Sequence, residues 1–91
     1  MKGFKDETQI NCRTAEEQQM VLDIFEMLGY KWNGGESPRG YHSHPAPMYY
    51  IIQNENKGSF IQGTSKYMIT NAGIEAKNLR NMYISLKRRA Q

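Results

Sequence analysis

Thr14-Ala15-Glu16-Glu17-Gln18-Gln19-Met20-Val21-Leu22-Asp23-Ile24-Phe25-Glu26-Met27-Leu28-Gly29 encodes a helix together with both of its ends. Thr14 and Glu17 have capping-box spacing. The Thr14 hydroxyl can accept from the Glu17 backbone N–H, and the Glu17 carboxylate can reach back to the Thr14 N–H. Two acids in the first turn suit the positive end of the helix dipole. Val21, Leu22, Ile24, Phe25 and Leu28 recur at helical spacing and make one apolar stripe. Gly29 stands where a left-handed residue closes a helix. The spacing predicts a helix over residues 15–28 whose stripe must be buried on something.

The flanking sequence supplies a sheet for that purpose. Gln9–Cys12 alternates, with Ile10 and Cys12 on one face and polar residues on the other. Tyr30-Lys31-Trp32 follows the helix as a short strand, with Tyr30 and Trp32 on the same side. Residues 34–47 carry Pro38, Gly40, Pro45 and Pro47 beyond Gly35 and read as a long loop, a length more often functional than passive. Met48–Gln53 is aromatic and β-branched, Asn54-Glu55-Asn56-Lys57-Gly58 reads as a hairpin loop, and residues 59–62 form the return strand. A further strand is expected over residues 66–70, with Tyr67 and Ile69 on one face.

Near the C-terminus, Leu79, Met82, Tyr83 and Leu86 fit a helical stripe with Asn71 as a cap. Met82, Ile84 and Leu86 also alternate as an edge strand would. Helix is favoured because residues 75–87 contain neither glycine nor proline. The expected fold is α+β, in the order β-α-β-β-β-β-α. It is a mainly antiparallel sheet with the capped N-terminal helix packed on one face. The other face is left for the last helix, a partner subunit or a ligand.

Ninety-one residues make a single domain, residues 1–91, and 38% hydrophobic residues are enough for a packed core. A lone cysteine, Cys12, excludes an intrachain disulfide, and no apolar stretch approaches the roughly 20 residues of a membrane helix. The charged opening lacks the apolar segment of a signal peptide, which points to a cytosolic setting. Charge is uneven. Residues 1–26 hold six acids and three bases, a balance of −3, whereas residues 27–91 hold nine bases and three acids, a balance of +6. That asymmetry suggests either an anionic partner near the later elements or solvated lysines that serve solubility.

The chain lacks a P-loop, a dinucleotide-binding glycine fingerprint, a nucleophile elbow and a zincin helix, so an enzyme is not expected. Glu16, Glu17, Asp23 and Glu26 read as capping and solvated acids. His42 and His44 flank Ser43 and could offer two metal ligands, but no local pattern supplies a third, and neither a metal nor a cofactor is expected. Cys12 reads as a small buried hydrophobe sooner than as a nucleophile. The set with more to offer mixes rings and cations: Lys31 and Trp32 before the long loop, Arg39, Tyr41 and His44 within it, and Tyr49 after it. Rings stack on nucleobases, and cations meet phosphate oxygens. Tyr49 and Tyr50 are adjacent in a strand, so only one of them can face a ligand if the other faces the core. The terminal run Lys87-Arg88-Arg89 reads as a solvated end or as a set of phosphate contacts.

From Thr14-Ala15-Glu16-Glu17 through Leu28-Gly29-Tyr30-Lys31-Trp32-Asn33-Gly34-Gly35, the chain resembles a recurring type of small phage-encoded protein. Such proteins open with a strand, a capped helix and a Gly-Tyr-Lys-Trp turn, and the similarity covers residues 8–70. The resemblance implies a counter-defence factor that binds without catalysing. One such group comprises the anti-CBASS sponge proteins, which sequester the cyclic nucleotides of bacterial immunity. On that expectation, Trp32, Tyr41 and Tyr49 stack on the bases of a cyclic di- or trinucleotide, while Arg39 and Lys31 neutralise its phosphates. A homo-oligomer, most simply a two-fold dimer with the site at the subunit boundary, would supply the wall that so short a chain lacks. Two other classes remain open: an inhibitor that anchors on a host protein through Trp32 and Tyr41, and a nucleic-acid binder using Arg80, Lys87, Arg88 and Arg89.

Overall fold

A computed structural model describes residues 4–32, 37–38, 47–53, 59–63 and 73–89, without the side chains of Trp32 and residues 59–63. Strand β1 (Gln9–Cys12) leads into helix α1 (Ala15–Leu28), followed by β2 (Lys31–Trp32), β3 (Met48–Gln53), β4 (Ser59–Gly63) and β5 (Ile74–Glu75). A 3₁₀ turn (Ala76–Leu79) then runs into α2 (Arg80–Arg89). The fold is α+β, a five-stranded mixed sheet with two helices.

Helix α1 has the expected bounds, and both ends have a physical cause. The Glu17 N–H donates to the Thr14 hydroxyl at 3.1 Å. The reciprocal half of the capping box is displaced by one residue, because the Glu17 carboxylate accepts from the Arg13 N–H at 2.6 Å and not from Thr14. At the other end Gly29 adopts φ +86°. Its N–H bonds the Glu26 carbonyl, and the Tyr30 N–H bonds the Phe25 carbonyl, the paired arrangement of a Schellman motif. The apolar contact that accompanies such motifs is also present, since the Phe25 and Tyr30 rings meet edge-on at 5.6 Å.

The strand order is β2-β4-β3-β1-β5. β3 pairs antiparallel with both β1 and β4, whereas the two outer pairings, β1 with β5 and β2 with β4, are parallel. The expectation of a mainly antiparallel sheet is met in part: the two long pairings are antiparallel and the two short outer ones are not. Helix α1 returns the chain so that β2 runs in the direction of β1, and the β3–β4 hairpin then inserts between them, leaving β3 alone opposed to the other four. The antiparallel pairing of the two strands is as expected, with Gln53 opposite Ser59, while the loop expected at residues 54–58 lies outside the described residues. The strand expected over residues 66–70 and the cap at Asn71 lie outside the described residues. The strand observed near that part of the chain is β5 at Ile74–Glu75, a stretch read as leading into helix. The last element is helical, which settles the choice against an edge strand. Its first four residues form a 3₁₀ turn with no side-chain cap.

Ile10, Cys12, Met48, Tyr50 and Ile52 project from one face of the sheet into a core shared with Val21, Ile24 and Phe25 of α1. Ala76, Leu79 and Leu86 join the same cluster, so α2 lies alongside α1 and not on the opposite face of the sheet. The Tyr83 hydroxyl ties the two helices by donating to Asp23 at 2.9 Å. Of the stretch expected to be a long loop, only residues 37, 38 and 47 are described; the Ser37 hydroxyl donates to Glu26 at 2.6 Å and Pro38 is fully buried, which anchors residues 37–38 against the fold. No helix among the described residues is long and apolar enough to cross a membrane.

Cys12 has no solvent exposure, and burial, with the carboxylates of Glu17 and Glu75 adding to it, pushes its thiol up to about 12. A thiol so placed is neither accessible nor ionised at neutral pH. Iodoacetamide is therefore expected to leave the folded protein unmodified and to alkylate it fully in denaturant, as read by intact mass. Rapid labelling without denaturant would mean that β1 opens readily.

Candidate functional site: the basic face of the C-terminal helix

The residues expected to hold a ligand fall into three groups. Lys31 is exposed on β2, an edge strand. Trp32 lies beside Phe60 in the β2–β4 register, its side chain outside the described residues, as are Arg39, Tyr41 and His44 altogether. Tyr49 is described and is 8% exposed. The alternation expected of the tyrosine pair is observed: Tyr50 packs on Phe25 at 5.6 Å, so Tyr49 points to the other face of the sheet. Little of the Tyr49 ring is open for stacking. Tyr30 belongs to the core, where its hydroxyl accepts from the Phe4 N–H at 2.8 Å. His42 is outside the described residues too, and no cluster of three or more His, Cys, Asp and Glu side chains among the described residues could hold a metal ion.

Alternation predicts only that the face of β1 opposite α1 is polar, yet Gln9 and Asn11 are buried there, Asn11 completely. A buried amide needs partners. The Gln9 amide donates to Asn11 Oδ1 at 2.9 Å, and Asn11 Nδ2 donates to Glu75 Oε2 at 3.1 Å. Arg13 grips the same carboxylate with Nε at 2.9 Å and with a terminal nitrogen at 2.8 Å. This chain of bonds fastens β5 to β1 and so fixes where the C-terminal helical segment begins. The Arg13 guanidinium, then the Asn11 amide, hold the Glu75 carboxyl down to about 2 from an ordinary value of 4.5. Because the folded value is depressed, the stabilisation is complete above pH 4.5 and is lost as pH falls from there towards 2. The stability difference between the native protein and Glu75→Gln should hold steady near neutrality and shrink across that acid window, as followed by urea melts at stepped pH.

From this anchor the chain enters its most basic segment. Residues 76–91 hold Lys77, Arg80, Lys87, Arg88 and Arg89 and no acid. All five cations are exposed, and none is paired with a carboxylate among the described residues. Leu86 is buried and Met82 and Tyr83 are partly so, which turns Arg80, Asn81, Ile84, Lys87 and Arg88 outward. At about 100° per residue these five share an arc of about 120° centred on Ile84. Lys87 leans over the Tyr83 ring, 5.0 Å from its centroid, which supports the base of the side chain. Three terminal cations suit the negative end of a helix dipole, so helix stability alone accounts for them. It does not account for Arg80, which lies more than two turns before the end of the helical segment that starts at Ala76.

Near the start of that segment, Lys77 and Arg80 line a cleft of about 200 Å³ with Thr14, Glu16, Glu17 and Met20 of the α1 start. Its walls carry both signs of charge, and it falls below the roughly 300–1,000 Å³ usual for small-molecule sites. It suits a water-filled seam between helices better than a ligand pocket. Comparison of the chain with protein-family models, curated proteins and solved structures gave no match.

Proposed function

We propose that this protein binds nucleic acid without cleaving it, through the exposed face of α2. The observation that carries the reading is the arc of Arg80, Lys87 and Arg88, with no acid anywhere on the helix and one cation more than two turns from the helix C-terminus. A row of guanidinium and ammonium groups that meet no carboxylate among the described residues matches a row of phosphates, and binding releases the counterions condensed on the polyanion. The test is fluorescence anisotropy with labelled duplex and single-stranded oligonucleotides across a salt series. With three to four phosphates neutralised, affinity should fall by about two orders of magnitude between about 50 and 200 mM salt. Arg80→Ala/Lys87→Ala/Arg88→Ala should flatten that slope while circular dichroism stays unchanged. A flat salt response of the unmodified protein would end the proposal.

A second reading is sequestration of a cyclic oligonucleotide, the activity implied by the phage-protein resemblance. It is favoured by Lys31, an exposed cation on an edge strand next to Trp32. It carries with it a two-fold dimer with the ligand at the boundary. Calorimetry against cyclic di- and trinucleotides separates the two. Saturable binding tighter than roughly 10 μM, about −7 kcal/mol, lost in Lys31→Ala but retained in the triple α2 variant, would favour sequestration. Light scattering would then be expected to give twice the 10.6 kDa chain mass.

A further inference from the structure

We infer that the partner of α2 is B-form duplex DNA, with the helix lying in the major groove, where Asn81 and Ile84 meet the base edges. The inference rests on the nucleic-acid reading above and narrows it. On the outward arc the five residues are ordered by chemistry as well as by charge. Taking Ile84 as the centre, Arg80 and Lys87 lie about 40–60° to one side, and Arg88 and Asn81 a similar angle to the other. Cations therefore flank both sides of a strip whose middle is an apolar residue, 41% exposed, and whose neighbour one turn back is an exposed amide.

Of the two large hydrophobic residues exposed among the described residues, Ile74 and Ile84, only Ile84 stands on the cationic arc. A groove-reading helix has a use for it. The thymine methyl gives apolar contact in the major groove, and an asparagine can pair in bidentate fashion with adenine N6 and N7. The flanking cations would then reach the phosphates on either wall and set register. Dimensions agree: residues 80–88 span about 12 Å along the axis, a helix with side chains is about 10–12 Å wide, and the major groove is about 12 Å wide.

Other nucleic acids fit this face less well. The major groove of duplex RNA is too deep and narrow for side chains to read. Single strands are held by rings that stack on bases, and the arc presents none, since Tyr83 is partly buried beneath Lys87. The opposite side of α2 is occupied by α1, so only this face can enter a groove.

The experiment is selection from a randomised DNA duplex library, followed by anisotropy on the selected duplex, an unrelated duplex, duplex RNA and single-stranded DNA. We expect the selected duplex to contain an adenine–thymine step and to be preferred at least tenfold over duplex RNA. Asn81→Ala and Ile84→Ala, both at exposed positions, should each reduce the preference for the selected over the unrelated duplex at least fivefold, the lower end for one base contact. Binding to the unrelated duplex should change by less than about threefold. Loss of salt-dependent binding to every nucleic acid would remove the underlying reading. Salt-dependent binding that is equal for duplex DNA, duplex RNA and single strands, or selectivity untouched by both substitutions, would leave that reading standing and overturn the groove.

Discussion

Phe25→Ala is expected to remove about 3–5 kcal/mol of stability, the range for emptying a fully buried aromatic position. Phe25 has no exposure and lies at the centre of an aromatic cluster: 5.6 Å from Tyr30, 5.6 Å from Tyr50 and 6.1 Å from Phe4, each pair edge to face. Its ring links α1 to β3 through Tyr50 and closes the helix C-terminus through Tyr30, so a cavity there weakens two junctions at once. A chain of 91 residues has about 5–14 kcal/mol in hand at the usual 0.05–0.15 kcal/mol per residue. The urea midpoint should therefore fall by roughly 1 M or more, or the variant should be unfolded at the outset. Ile84→Ala, which truncates an exposed residue, is the control and should stay within about 0.5 kcal/mol of the native protein. A loss below about 1 kcal/mol for Phe25→Ala would mean that the cluster is not the centre of the core.

How much of this was legible in the chain depended on how local each signal is. The Thr14 cap, the apolar stripe and Gly29 act within one or two helical turns, so α1 could be read to the residue. Met48–Gln53 and its hairpin partner were legible for the same reason, since alternation and a glycine-ended loop are short-range. The mixed character of the sheet was not. No residue in β2 or β5 encodes parallel pairing, which follows from the path of α1 and from where the hairpin inserts. β5 is two residues long and has no period to detect. It exists because Asn11 and Arg13, more than sixty positions earlier, hold Glu75. The buried polar chain of Gln9, Asn11 and Glu75 was illegible for a related reason: alternation assigns a face but does not say that the face is covered.

The candidate site was legible in part. The cations near the C-terminus were apparent, and once the buried stripe is set at Leu79, Met82, Tyr83 and Leu86 the outward arc follows from helix geometry. The roles of Asn81 and Ile84 could not be read before that stripe was fixed, because the competing strand pattern placed Ile84 on the same side as Met82 and Leu86. Arg89 shows the limit of reading charge as a run. It is exposed, but about 140° around the helix from Ile84, so it does not share the arc with Arg80, Lys87 and Arg88.

Gly73→Ala should cost about 2–4 kcal/mol and displace the whole C-terminal segment. A Cβ at position 73 would overlap the Gln9 carbonyl oxygen and come within 2.8 Å of the Gln9 carbonyl carbon and side chain. The obstacle is the backbone of β1, which cannot swing aside as the tip of a side chain can. The strand that must move instead is β5, whose register with β1 is only Ile10 opposite Ile74 and Asn11 opposite Glu75. Moving it pulls Glu75 away from Asn11, whose fully buried amide then loses an acceptor, and breaks the Arg13–Glu75 pair at 2.8 Å. The 3₁₀ turn starts at the next residue and runs into α2, so the effect is transmitted to the basic face. Gly29→Ala provides the contrast. No atom lies within 4 Å of a Cβ there, and only the φ of +86° is unfavourable, a penalty of about 1 kcal/mol local to the end of α1. Amide hydrogen exchange distinguishes the two. Gly73→Ala should raise exchange across residues 74–89, whereas Gly29→Ala should leave that segment unchanged. Equal protection of residues 74–89 in both variants would show that the close approach of Gly73 to β1 does not hold the helix in place.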